Sequence, residues 1–154
     1  MITYQTAIQD EWVDYNGHLR DAFYLLIFSY ATDAFMDRIG LDADERGASG
    51  HSLFTLECHL NFLHEVKRGA QVQVHTRVLA HDRKRVQVYH SLHLPGASQA
   101  LAASEQMLLH VDLAAGPKSA PFSAHSLAQL QTLLDRQAGL PEAQYIGRVI
   151  GLPG

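Results

Sequence analysis

Trp12-Val13-Asp14-Tyr15-Asn16-Gly17-His18-Leu19, followed by Arg20-Asp21 and an apolar run to Met36, is the stretch around which the chain is organised. Within five residues it sets a carboxylate, an amide, a glycine and an imidazole just ahead of a predicted helix. A helix start offers unpaired backbone N–H groups and partial positive charge. A reacting carbonyl placed there would meet hydrogen-bond donors and a carboxylate together. Asp21 reads as the N-cap of a helix running to about Ile39 and stopped by Gly40. The first half of that helix is apolar nearly all round, which predicts burial on most faces. A single buried helix early in a small domain needs a sheet to wrap it.

The flanking sequence supplies that sheet. Ile2 to Ile8 reads as a short strand, and Gln9 to Arg20 as a loop punctuated by Asn16-Gly17. Asp42 to Gly50 is polar and glycine-bearing and reads as a loop. Phe54, Leu56, Cys58, Leu60 and Phe62 then alternate with Thr55, Glu57, His59 and Asn61, giving one apolar and one polar strand face. Alternation resumes at Val72 and Val74, again at Val86 and Val88, and again from Leu101 to Leu113. The breaks between fall at Val66–Gly69, His81–Lys84 and Pro95–Ser98, each short enough for a hairpin. Ser123 is a candidate cap for a second helix with Leu127, Leu130, Leu133 and Leu134 on one face. The order is strand, buried helix, four consecutive antiparallel strands, terminal helix: an α+β domain over residues 1–138, with a tail, 139–154, of no clear periodicity.

Composition narrows the function classes. A chain of 154 residues with 47% hydrophobic content suits one domain with a sizeable core. A formal net charge of −4 argues against a general nucleic-acid binder. The lone Cys58 excludes an intrachain disulfide framework and suits a reducing cytoplasm. No apolar run has transmembrane length, so no membrane partner is expected. The ten histidines lack zinc-site spacing, so no metal is expected.

The motif Asp14-Tyr15-Asn16-Gly17-His18-Leu19 with Tyr24, and Asn61-Phe62-Leu63-His64-Glu65-Val66-Lys67-Arg68-Gly69-Ala70 later, resembles the hot-dog fold of the 4-hydroxybenzoyl-CoA thioesterase-like superfamily. Gly17-His18-Leu19 through Ser29-Tyr30-Ala31-Thr32-Asp33, and Ser104-Glu105-Gln106-Met107-Leu108-Leu109-His110-Val111, are similar to thioesterases of carnitine breakdown linked to betainyl-CoA. The resemblance implies thioester hydrolysis of a small acyl-CoA, with coenzyme A as part of the substrate and no separate cofactor. It implies that Asp14 attacks the carbonyl or activates water, with Asn16 and His18 in support. The oxyanion would sit on backbone N–H groups among Asp21, Ala22 and Phe23. Trp12, Tyr15, Gly17, Tyr24 and Glu57 become pocket candidates, the aromatic residues as a wall for a quaternary ammonium. Arg83, Lys84, Arg85 and Lys118 become candidates for the phosphates of coenzyme A. Each has a plainer reading: an Asx turn at Asp14, ordinary helix packing for the aromatic residues, a solvated basic turn at 83–85, an inert core thiol at Cys58. A hot-dog hydratase, the competing enzyme class, resembles this loop but carries Pro after the Asn and the His one residue further on. A non-catalytic acyl-CoA-binding module is the third reading. An open sheet edge predicts a homodimer, or a tetramer with polar sheet faces meeting.

Overall fold

The computed structural model describes residues 1–154. Its central helix, α1 (Asp21–Arg38), begins with an acidic residue and ends with a basic one, as the helix dipole favours. Tyr24, Ile27, Phe28, Ala31, Thr32, Phe35 and Met36 are buried, and their steps of three and four make one continuous stripe. Burial on most faces, expected from the apolar first half, does not occur. Leu25 and Tyr30 stay 42% and 39% exposed on the far side. Asp21 is the first helical residue; Arg20 holds the cap position without a side-chain bond. Gly40 ends the helix region at φ +80°, and a Cβ there would lie 2.5 Å from the His125 ring.

Residues 42–50 form a helix where a loop was expected. Asp42 accepts the Glu45 N–H at 2.9 Å, α2 (Ala43–Ser49) follows, and Gly50 closes it in the left-handed region. Asp followed three residues later by Glu is a capping signature, and it outweighs the glycine content of the segment.

Six strands curl around α1: β1 (Ile2–Ala7), β2 (His51–Phe62), β3 (Gln71–His81), β4 (Arg85–His93), β5 (Ala102–Asp112) and β6 (Lys118–Ser119). Their order is β1-β3-β4-β5-β2, with β6 on β5. All pairings are antiparallel. β3–β4 and β4–β5 are the expected neighbours. β2 and β3 are not a hairpin: β2 pairs with β5, and residues 63–70 carry the chain across to start β3 beside β1. Local alternation shows where strands lie but not which strand each one meets. β1 and β2 are therefore the edges.

Register shifts at Ile2/Tyr4, Thr55/Glu57 and Val78/Ala80 bend and twist the strands, as bulges do, and help the sheet wrap the helix. The shift in β2 also swaps its faces. Thr55 pairs with buried Leu108, whereas Cys58, Leu60 and Phe62 pair with Gln106, Ser104 and Ala102. Phe54 consequently turns to the outer face, 41% exposed, against the expected uniform alternation. Cys58 is exposed, not a core thiol, because no strand covers that side of β2; its Sγ lies 3.4 Å from Ser104 Oγ.

The C-terminal helix, α3 (Ala124–Gln137), is capped by Ser123 as expected, its Oγ accepting the Ser126 N–H at 3.1 Å. Leu130 is fully buried beside Phe35, Met36 and Ile39 of the α1 end. The tail lies across the outer sheet face, where Pro141 O accepts from Arg77 Nη1 at 2.7 Å and Ala143 packs with Tyr89 and Ala103. Under α1, His90 is fully buried. Its Nε2 meets Thr32 Oγ1 at 3.1 Å and its Nδ1 meets Thr76 Oγ1 at 2.8 Å. Burial pushes its pKa down to about 3. No helix is long and apolar enough to cross a membrane.

Candidate active site

The Asp14 loop is a closed turn built by the backbone. Gly17 N–H donates to Asp14 O at 3.0 Å, and Asp14 N–H donates to His18 O at 2.9 Å. Gly17 sits at φ +75°, which its missing Cβ permits. The carboxylate takes part too: its Oδ1 accepts the His18 N–H at 3.1 Å and the Asn16 N–H at 2.8 Å. The His18 amide, more than any other group, holds the Asp14 carboxyl below the usual range. A carboxylate fixed in this way keeps Oδ2 free of partners from its own chain. The Asx-turn reading of Asp14 holds, and the turn leaves one carboxylate oxygen unengaged.

The supporting candidates sit differently from expectation. The His18 imidazole makes no hydrogen bond to Asp14 and pairs through Nε2 with Glu65 Oε2 at 3.3 Å. The Asn16 side chain is exposed. Of the three proposed oxyanion donors, Phe23 N–H is engaged by Arg20 O at 3.1 Å and Ala22 N–H by Asp21 Oδ1 at 2.8 Å. That leaves Asp21 N–H without a partner in the chain.

A cleft of about 300 Å³ opens beside the helix start, between α1 and the end of β2. Leu19, Asp21, Tyr24, Phe62 and Glu65 line it. Tyr24 and Phe62 meet edge to face with centroids 5.1 Å apart, and the Tyr24 hydroxyl donates to His64 O at 3.3 Å. Burial, seconded by the Glu65 charge, raises the Tyr24 pKa and keeps it a neutral donor. Phe62 was not among the expected pocket residues, although it belongs to the second motif. The rest of the expected aromatic wall is absent from this cleft. Trp12 is a core residue stacked on Phe23 at 6.0 Å. Tyr15 is 93% exposed. Glu57 lies on the outer sheet face, because its β5 partner is Met107 and the helix side belongs to Cys58 and Gln106.

The basic residues gather elsewhere. Arg83, Lys84 and Arg85, with Leu56, Leu109 and Ser119, surround a cleft of about 600 Å³ at the β3–β4 turn. Lys84 Nζ donates to Ser119 Oγ at 3.2 Å, which sets Lys118 on the adjoining strand β6. Arg85 is spent on Asp82: Nε and Nη2 reach Oδ2 at 2.8 and 2.6 Å. The Lys84 amide and this guanidinium lower the Asp82 pKa to about 2. This turn lies at the opposite end of the sheet from Asp14. The nine residues of β4 between the two ends span about 30 Å. No group of three or more His, Cys, Asp or Glu is placed to hold a metal ion.

A helix wrapped by an antiparallel sheet in this order, with an ionised carboxylate ahead of the helix start, is the hot-dog arrangement of acyl-CoA hydrolases. The chain belongs to the thioesterase-like superfamily, whose profile matches residues 8–130. It is 65% identical to a betainyl-CoA thioesterase of Pseudomonas aeruginosa, over 99% of this chain and 96% of that one. It is 36% identical to an L-carnitine dehydrogenase/betainyl-CoA thioesterase of Rhizobium meliloti, over 95% of this chain but 29% of that protein. A Staphylococcus aureus protein solved in complex with CoA superposes with a TM-score of 0.90 at 25% identity, over 99% of this chain and 96% of that one. The protein is accordingly an acyl-CoA thioesterase.

Proposed function

We propose that the protein hydrolyses betainyl-CoA to betaine and coenzyme A, in the cytoplasm, at a site that two copies build together. The observation that carries the reading is the Asp14 loop. A carboxylate fixed in its ionised form by two backbone amides stands before a helix start whose Asp21 N–H is unpartnered. Asp14 Oδ2 takes a proton from the water that attacks the thioester carbon, or attacks that carbon itself to form an acyl anhydride that water then cleaves, and Asp21 N–H receives the oxyanion in either path. The sulfur leaves with the coenzyme A. Tyr24 and Phe62 offer π faces to the trimethylammonium group, and Glu65 adds negative charge at the same cleft.

The distance between Asp14 and the basic turn supports a two-chain site. β2 is an open edge, running from the basic end of the sheet at His51 to the Asp14 end at Phe62. A two-fold axis through that edge pairs β2 antiparallel with its copy. The basic turn of one chain then comes to the end where the partner's helix starts. Arg83 and Lys84, with Lys118, would hold coenzyme A phosphates there, while Leu56 and Leu109 offer apolar floor.

The test is thiol release from a panel containing betainyl-CoA and its neutral isostere, 3,3-dimethylbutanoyl-CoA. Betainyl-CoA should be preferred at least about tenfold in kcat/KM, the scale of a desolvated cation–π contact. Equal rates would remove the proposed cation recognition. Hydration of crotonyl-CoA without thiol release would remove hydrolysis itself.

A further inference from the structure

The last segment of the chain crosses the outer sheet face strand by strand. Pro141 is tied to Arg77 of β3. Ala143, Tyr145 and Ile146 pack with Tyr89 of β4 and Ala103 of β5. Gly147 N–H donates to Glu105 Oε2 of β5 at 2.7 Å. Arg148 and Val149 then share a cavity with Glu57 and His59 of β2. The path takes β3, β4, β5 and β2 in spatial order and leaves over the open β2 edge. Beyond the Gly147 anchor, Val149, Ile150 and Leu152 are 89%, 90% and 98% exposed. Segments that stay in solvent are polar; this one is aliphatic, and its own chain leaves it uncovered. The five residues from Ile150 to Gly154 reach about 16 Å when extended, or about three strand spacings past the edge.

We propose that Arg148–Gly154 is a strap that crosses the β2 edge and lies on the outer sheet face of a second copy of this chain. It rests on the β2-edge dimer proposed above and adds a second, independent clasp to it. The receiving face offers apolar groups among polar ones where the strap would land. Phe54 and Leu56 are 41% and 56% exposed, and Leu56, Ala80 and Met107 line a cavity of about 510 Å³ together with Glu57, His81, Asp82, Arg85 and Gln87. By the two-fold axis each chain gives one strap and receives one.

Two measurements on the full-length protein test this. A photo-crosslinking benzoylphenylalanine replaces Ile150 in dimers assembled from mixed light and heavy-nitrogen chains, and crosslinked peptides are read by mass spectrometry. A chain ending at Gly147 is compared with wild type for its dimer dissociation constant. Expected are mixed-isotope crosslinks to peptides holding Phe54–Leu56 or Met107, and dimerisation weakened at least about tenfold by the truncation, as loss of buried aliphatic groups requires. Crosslinks confined to single-isotope pairs, or none at all with unchanged dimerisation, in a protein that light scattering shows to be a dimer, overturn the strap and leave the β2 dimer standing. A monomer by light scattering overturns both.

Discussion

If Asp14 of one chain works with the basic turn of the other, two crippled chains should rescue each other. One partner carries Asp14→Asn. Its amide oxygen still accepts the Asn16 and His18 N–H groups that hold the loop, so the fold is retained while the carboxylate is lost. Turnover should drop by on the order of a hundredfold or more. The other partner carries Arg83→Glu and Lys84→Glu, which leave Asp14 intact. Each lost phosphate contact is worth about 1.4 kcal/mol, or tenfold, after allowing for solvent screening at these exposed side chains. The pair should therefore lower kcat/KM on the order of a hundredfold.

In a heterodimer, a site shared between chains draws Asp14 from the second chain and the basic turn from the first. One of its two sites is wild type and the other is doubly impaired. Random pairing of equal amounts makes half the dimers mixed, so the mixture should recover about one quarter of wild-type kcat/KM. Sites contained within single chains would leave it at the mean of the parents, about one hundredth. The gap is about 25-fold, far outside assay error for thiol release at low acyl-CoA concentration. A mixture no more active than its parents, in a sample where mass spectrometry confirms heterodimers, refutes the two-chain site.

Because the Asp14 pKa is lowered, its carboxylate persists below the ordinary value of about 3.9. The acid limb of kcat/KM should therefore lie below pH 4, and a limb in the neutral range would overturn Asp14 as the essential base. Tyr24→Leu should raise KM for betainyl-CoA about tenfold more than for 3,3-dimethylbutanoyl-CoA, and a uniform rise would make Tyr24 packing alone. His90 is neutral in the fold, with a pKa of about 3, and near 6.5 when unfolded. The unfolded chain takes the proton first, so stability is intact above about pH 6.5 and falls by up to about 1.4 kcal/mol per pH unit toward pH 3. Urea unfolding of His90→Gln should show a shallower slope from pH 7 to 5, and an unchanged slope would assign the acid lability to the other buried histidines. Gly40→Ala forces a left-handed φ and a contact with His125, and should cost at least about 1–2 kcal/mol by the same measurement.

The fold was legible where a local pattern carries it. The long helix after Asp14, the short break at 81–84 and the Ser123 cap all stand in the structure, while the break expected at 95–98 widens to residues 94–101. What failed depends on a neighbour that no local pattern names. The β2 alternation reads as one continuous face, yet the shift between Thr55 and Glu57 sends Phe54 outward. β2 and β3 follow one another along the chain but lie at opposite sides of the sheet. Trp12 and Tyr15 stand close on either side of Asp14, and only packing sends one into the core and the other into solvent. The basic turn is recognisable as a cation cluster, but its distance from Asp14 appears only with the strand order.

The division of the candidate site follows from how each half is held. The proposed reactive end is held by its own backbone: two amides fix Asp14, a glycine turns the chain, and the helix start leaves Asp21 N–H unpartnered. Backbone donors are set by the fold itself and need no side chain to find its rotamer. The proposed nucleotide end instead needs cations and apolar floor, and the bulge at Leu56 places a leucine beside Arg83 and Lys84 midway along the same edge strand. An antiparallel pair of such edges reverses one end onto the other. β2 is thus the element on which both proposed halves depend, because it lines the Tyr24 cleft through Phe62 and the basic cleft through Leu56. Substitutions that weaken β2 pairing should raise KM together with the dimer dissociation constant while leaving the bond-breaking step in the remaining dimers unchanged. A loss of kcat at saturating protein concentration would place the defect in the Asp14 loop instead.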